Sequence, residues 1–369
     1  MIPKIEHIWN WAKIALYYNL TNGRAPSPQT VKFEMTYNCN LSCVMCPIIK
    51  KFRYSQKYNE LTLDEIKKLL IPQLLEMKVK NIILTGGEPL VRENALSIIH
   101  EFENNGFNTI NLITNLSFDS KYLRDLPEMD VIIHTSIDGP ENVHNIIRGS
   151  VDAFKKTIAA MKYINEVRAD IGLEKVHITC TIQKANANTF SKVIDIANDV
   201  GSDFVGYSFV IFVIPKDYEY TMNVLKKEGF KPSEQTNTSL PKEIYNVNIN
   251  EIYDECKKTI DKAKELGINL IFYPSHINNL IRENIHAWFS NSYFSPIKKC
   301  KYFYSNFKIT PDGFVSPCFK VYLGNIRETS LKEIWNSEDF KRFRVFMKNR
   351  GLLPGCHRCC NLSKNIVQF

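Results

Sequence analysis

Between residues 31 and 212 short apolar runs alternate with longer amphipathic stretches. Val31–Met35, Asn81–Thr85, Thr109–Ile113, Val131–Thr135, Val176–Ile182 and Phe204–Phe212 are rich in β-branched and aromatic residues and read as strands. After the first run, Thr62 and Glu65 form a capping-box signature ahead of the stripe Ile66, Leu69, Leu70, Leu74 and Leu75. Pro72 inside that stripe predicts a kink or a break. Further helices are expected over Glu93–Asn104, stopped by Gly106, around Lys121, and over Thr189–Val200. Another runs from a Ser150 cap to about Val167, with Phe154, Ile158, Met161 and Ile164 on one face. Repeated strand–helix units predict a parallel sheet covered by helices. Periodicity alone does not choose between a curled and an open sheet.

Outside this region the pattern changes. Ile5–Leu20 reads as an amphipathic helix carrying Trp9, Trp11, Tyr17 and Tyr18. It suits packing on the main domain, with a membrane surface or a partner as the other use of such a face. Residues 22–30 read as a linker. Residues 215–241 are polar and read as an insertion or lid, followed by a helix over Val247–Leu266 and a strand over Ile268–Tyr273. The expected organisation is 1–30, N-terminal helix and linker; 31–214, α/β core; 215–295, insertion and connection; and 296–369, a cysteine-rich domain. The opening segment lacks signal-peptide character, and no stretch is apolar enough for a membrane span, so a reducing cytoplasm is expected.

Composition narrows the class. The chain has 369 residues, 44% hydrophobic and 23% charged, which excludes a disordered or collagen-like polymer. The net charge of +8 comes without an arginine-rich tail or zinc-finger spacing, so nucleic acid is not an expected partner. The ten cysteines are clustered: Cys39, Cys43 and Cys46 near the start, Cys300, Cys318, Cys356, Cys359 and Cys360 near the end, with Cys180 and Cys256 apart. In a reducing compartment such clusters read as metal ligands before disulfides.

The sequence "CNLSCVMC", residues 39–46, places three thiolates in one loop after a strand. Zinc would lack its fourth ligand there, and the loop holds no histidine. Three thiolates can instead hold three irons of a [4Fe-4S] cube and leave the fourth iron open. Together with "GGEP", residues 86–89, after the second strand, this loop resembles the radical SAM superfamily. The resemblance implies that Cys39, Cys43 and Cys46 hold the cluster and that its open iron binds S-adenosylmethionine (SAM). It further implies that Met45 lies near the adenine and that Gly86, Gly87 and Glu88 meet the methionyl ammonium. Glycines allow close backbone approach, and a carboxylate pairs with an ammonium. Asn115 in "TNLS", Ser136 and Asp138 in "SIDGP", and Arg148 in "IIRG" match further cofactor-facing positions, with Arg148 toward the cofactor carboxylate.

Near the C-terminus, "FKITPDGFVSPC", residues 307–318, reads as a hairpin that brings Cys300 and Cys318 together. "CHRCC", residues 356–360, returns Cys356 and Cys359 to complete four thiolates, with Cys360 as an alternative to Cys359. Four thiolates suit zinc as well as a cluster. The spacing resembles the SPASM/twitch extension of radical SAM enzymes, in its shorter form, which implies one auxiliary [4Fe-4S] cluster.

The resemblance as a whole implies a partial (β/α)6 TIM-like barrel with a small C-terminal auxiliary cluster domain. The implied reaction is reductive cleavage of SAM to a 5′-deoxyadenosyl radical that takes a substrate hydrogen. The expected outcome is oxidation of a small molecule, with the auxiliary cluster as electron acceptor. Alternatives are a ribosomal-peptide maturase forming a thioether or other crosslink, and radical group transfer beside a structural C-terminal metal. An external donor such as flavodoxin or ferredoxin is implied, and peripheral membrane contact through residues 5–20 is the lesser use of that helix. His134, Tyr207 and Cys180 lie on expected strands and read as core or cavity lining, and no catalytic base is assigned.

Overall fold

The computed structural model describes residues 5–46, 59–118, 123–232, 239–274, 282–291, 293, 295–318 and 321–365. The strands are β1 (Thr30–Glu34), β2 (Asn81–Thr85), β3 (Thr109–Ile113), β4 (Ile132–Ser136), β5 (His177–Ile182), β6 (Phe204–Phe209), β7 (Lys231–Pro232), β8 (Asn269–Tyr273), β9 (Asn306–Ile309), β10 (Val315–Ser316) and β11 (Val321–Tyr322). Nine of them form one sheet in the order β10-β9-β1-β2-β3-β4-β5-β6-β8. All neighbours pair parallel except β10, which runs antiparallel to β9 at the edge. The two edges, β10 and β8, do not pair with each other, so the sheet is a partial barrel extended by β8 and β9.

The helices cover one face. Val31, Phe33, Ile82, Leu84, Leu112, Ile133 and Ile178 are essentially inaccessible and turn toward them. Phe33 packs on Phe102 of the helix Ala95–Asn104, with ring centroids 6.2 Å apart. The alternate positions of β1 to β5 are only half-buried and face the other way.

Local deviations from the expected elements have local causes. The Thr62–Glu65 capping box forms, with Glu65 N–H donating to Thr62 Oγ1 at 3.1 Å and Thr62 N–H to Glu65 Oε2 at 2.8 Å. The helix then passes through a π turn, Ile66–Leu70, before Ile71–Glu76, and Pro72 sits in the first turn of that last piece, where its missing N–H is harmless. The break expected at Pro72 is thus absorbed one turn earlier. Ser150 does not cap the next helix. Its hydroxyl donates to Asp152 Oδ1 at 2.9 Å, and Asp152 precedes Ala153–Ile171. The helix expected around Lys121 lies outside the described residues.

Within the segment expected as an insertion or lid, residues 215–232 carry regular structure. Pro215 opens a helix to Lys227 whose Thr221 and Leu225 are buried, and Thr221 Oγ1 accepts Gly355 N–H at 2.9 Å. β7 then pairs antiparallel with β11. The N-terminal helix Ile5–Leu20 packs through Tyr18, whose ring meets Tyr304 edge-on at 5.2 Å, while Trp9 is 71% exposed. Buried Arg344 joins this end to the C-terminal region: Nε donates to Phe303 O at 2.8 Å and Nη1 to Gly23 O at 3.1 Å, and its guanidinium lies over Trp335 and Phe340. Among the described residues no helix is long and apolar enough to cross a membrane.

Candidate metal and cofactor site

Three loops meet at the C-terminal ends of β1, β2 and β3. The β1 loop carries Cys39, Cys43 and Cys46, all half-buried. It is fixed from two sides by backbone hydrogen bonds. Gly87 N–H donates to Thr36 O at 2.7 Å and Glu88 N–H to Asn38 O at 2.8 Å, while Ser42 N–H reaches Arg148 O at 3.1 Å and Val44 N–H reaches Ile147 O at 3.0 Å. Two glycines make this approach sterically possible. A Cβ at Gly87 would lie 2.1 Å from Asn38 O, and one at Gly149, which has φ +65°, would lie 2.6 Å from Ser42 O.

Glu88 sits behind this surface, 1% exposed. Its Oε1 accepts Thr114 Oγ1–H at 2.6 Å and Leu90 N–H at 3.1 Å, and its Oε2 accepts Asn115 N–H at 2.6 Å. Burial raises its carboxyl to about 7 against the lowering effect of these donors. Glu88 therefore clasps the β2 loop to the end of β3. Asn115 continues the clasp, its Nδ2 donating to Asn40 Oδ1 at 2.8 Å.

Asp138 and Arg148 also form a unit. Arg148 Nε donates to Asp138 Oδ2 at 2.6 Å, Asp138 Oδ1 accepts Thr181 N–H at 2.9 Å, and Arg148 Nη1 lies 3.8 Å from Cys43 Sγ. Burial holds the Cys43 thiol above its ordinary range, and the Arg148 charge opposes that shift. Burial likewise pushes Cys39 up to about 12, although Leu41 N–H donates to its sulfur at 3.5 Å. N–H donors aimed at sulfur are the outer-shell contacts that tune thiolate-bound iron. Met45 is half-buried against the core, and Ser136 ends β4 opposite Thr179 on the less buried face.

The second cysteine group lies at the other end of the neighbouring strand. β9 runs parallel to β1, Cys300 precedes it, and Cys318 follows β10 on its way back past Lys308. Cys300, Cys318, Cys356 and Cys359 line one cavity with Tyr302 and Phe343. Cys360 is exposed and does not line it. The two ends are joined through the hairpin turn, where Tyr37 OH donates to Asp312 Oδ1 at 2.8 Å. Among the described residues no three His, Cys, Asp or Glu side chains converge on a single metal ion. Donor sets made only of thiolates, three in the β1 loop and four around the cavity, are of the kind that hold iron–sulfur clusters.

The radical SAM superfamily model matches residues 33–197, and the model for an iron-sulfur cluster-binding domain, SPASM, matches residues 300–360. The chain belongs to the radical SAM superfamily. As a radical SAM enzyme it uses a [4Fe-4S] cluster and SAM, with auxiliary iron–sulfur at the SPASM end. It is 25% identical over 332 residues to an AdoMet-dependent heme synthase of Methanosarcina barkeri, covering 86% of this chain and 85% of that one. A probable GTP 3',8-cyclase of Methanococcus vannielii is 28% identical over 47% of this chain and 56% of its own. In fold the chain is similar to SuiB of Streptococcus suis bound to S-adenosylmethionine, with a TM-score of 0.64 and 13% identity over 90% of this chain and 71% of that one. It is also similar to anSMEcpe with bound AdoMet and Cp18Cys peptide, with a TM-score of 0.56 and 18% identity over 90% and 88%.

The half-buried face of the sheet lies between the two cysteine groups, and of its residues the sequence had pointed only to Ser136, as cofactor-facing, and to His134, as core or cavity lining. Ile113, mid-sheet on β3, is 38% exposed, so this face fronts open space. It carries Lys32, Glu34, Asn111, His134, Ser136, His177, Thr179 and Lys308. His134 Nε2 contacts Asn111 Oδ1 at 2.9 Å, and burial, then His177, holds the imidazole down to about 4. Tyr207 and Cys180 are instead buried on the helix side, with Tyr207 OH donating to Phe190 O at 2.9 Å.

Proposed function

We propose that Cys39, Cys43 and Cys46 hold the SAM-binding [4Fe-4S] cluster, that Cys300, Cys318, Cys356 and Cys359 hold one auxiliary [4Fe-4S] cluster, and that the enzyme oxidises a small molecule bound inside the barrel. When bound, the first cluster and SAM supply a 5′-deoxyadenosyl radical able to take a hydrogen atom, and the second supplies an acceptor for the electron left behind. The observation that carries this reading is the open polar face of the sheet between thiol groups at opposite ends of adjacent strands. Strand β9 is short, so the two ends lie on the order of 15 Å apart.

The protein's own residues supply position and exclusion. Gly86 and Gly87 let the β2 loop press against the cysteine-bearing β1 loop, and Glu88 with Asn115 fixes that backbone. Asp138 holds Arg148 against Cys43, which keeps a cation beside a thiolate ligand. Ser136 and Met45 flank the same mouth. The buried helix-side rows keep water behind the sheet and leave one open side for substrate.

A small molecule is favoured because, of the two relatives named above, one is named for heme and the other for GTP. A flavodoxin or ferredoxin would supply the first electron, and a cytoplasmic setting suits air-sensitive clusters. The test offers deuterated candidate substrates to anaerobically reconstituted enzyme. Deuterium appearing in 5′-deoxyadenosine, with a product two electrons more oxidised, supports the reading. A crosslinked peptide product would replace it with peptide maturation, and a transferred group in the product would replace it with group transfer.

A further inference from the structure

The middle row of the inner face, between the Thr30–Asn306 pair below and Glu34 above, carries more positive charge than its surroundings neutralise. On β1, Val31 and Phe33 are buried against the helices, which puts Lys32 and Glu34 on the inner face. On β9, Phe307 packs on Trp335 at 5.3 Å, which puts Lys308 on that face too. The parallel register sets Lys32 and Lys308 directly opposite each other. Like charges in facing positions repel, and a sheet packed on both faces has no use for them. Lys308 is neutralised by Glu34, Nζ to Oε2 at 3.1 Å, with side chains 8% and 18% exposed. Lys32 is half-buried and has no carboxylate or side-chain hydrogen-bond partner among the described residues. The row therefore holds two cations, with one anion, Glu34, in the next inner position toward the strand C-termini. It continues across Ile83 of β2 to Asn111 of β3, which adds a neutral polar group.

We infer that the Lys32–Lys308 row binds an anionic group of the substrate, a carboxylate or a phosphate. The inference rests on the barrel interior being the substrate chamber. An ammonium at Lys32 is a compact point charge with three donors and can serve either oxyanion. Anchoring the anion midway along the strands leaves the rest of the substrate extended toward the strand ends that carry Cys39 and its neighbours.

The test is calorimetric titration of reconstituted enzyme with tricarballylate and, separately, with inorganic pyrophosphate. Wild type is compared with Lys32→Gln and Lys32→Arg. The expected result is that one of the anions binds wild type at least tenfold tighter than Lys32→Gln, with Lys32→Arg close to wild type and affinity falling as salt rises. The anion that binds identifies the group as carboxylate or phosphate. Equal binding by wild type and Lys32→Gln, or no binding of either anion to wild type, overturns the inference. SAM cleavage by the same wild-type preparation reports separately on the reaction: its absence beside intact, Lys32-dependent binding would remove the reaction and leave the anion site.

Discussion

Arg148→Met removes a cation from one of the most enclosed polar units in the protein. The Asp138 side chain is wholly inaccessible, and that of Arg148 is 10% exposed. After truncation the carboxylate keeps the Thr181 N–H but loses the guanidinium at 2.6 Å. Breaking a buried pair by removing one partner costs about 3–5 kcal/mol. Unfolding entropy of about 2.1 cal/mol/K per residue turns that into a loss of about 4–6 °C in Tm for a chain of 369 residues. The double variant Asp138→Asn/Arg148→Met recovers much of the loss, because the stranded charge is gone. Thermal unfolding of the metal-free protein, followed by circular dichroism for all four members of the cycle, measures this. A second readout ties the pair to the site: iron retained at the N-terminal cysteines falls in Arg148→Met, because the cation 3.8 Å from Cys43 Sγ is lost. A single-variant shift under about 1 °C, or a double variant no better than the single, would refute the reasoning.

Two further outcomes follow from the same geometry. Cys359→Ser lowers auxiliary-site iron, whereas Cys360→Ser leaves it intact, because only Cys359 lines the cavity with Cys300, Cys318 and Cys356; iron analysis of the two variants decides between the neighbours. Glu65 takes two hydrogen bonds from Arg327, at 2.6 and 2.9 Å, which hold its carboxyl down to about 2 from 4.5. That contribution is fully present above about 4.5 and is lost as pH falls toward about 2. Glu65→Gln therefore costs about 1–2 kcal/mol at neutral pH, allowing for partial exposure, and the gap to wild type narrows near pH 3.5, as paired melting curves will register.

Much of the fold was legible because strand and helix differ in period. β2 and β3 fall where the apolar runs predict, and the capping box at Thr62 forms as its spacing requires. The helix Pro215–Lys227 was not legible, because a polar helix with few buried positions, such as Thr221 and Leu225, looks irregular until its partner at Gly355 is known. Partners so far apart in sequence leave no local signal. The cysteine groups were legible as spacing, and the structure brings Cys300, Cys318, Cys356 and Cys359 to one cavity. The choice between Cys359 and Cys360 was not, since adjacent residues differ only in direction. The contact of Arg148 with Cys43 was equally hidden, although the family match had drawn Arg148 toward the site. Strands buried on both faces in a parallel sheet are continuously apolar. β1, β3, β4 and β5 carry Lys32, Glu34, Asn111, His134 and Thr179 at alternate positions, which already marks a sheet with one open polar face.

The central claim is that two separate thiol sets each hold a cube. Iron and sulfide per chain, with zinc counted alongside, test it most directly on anaerobically reconstituted wild type and on the variant with Cys39, Cys43 and Cys46 all changed to alanine. The account predicts about eight irons falling to about four, little zinc, and loss of SAM cleavage in the variant. About four irons falling to none, with one zinc retained, would contradict it by making the C-terminal site structural.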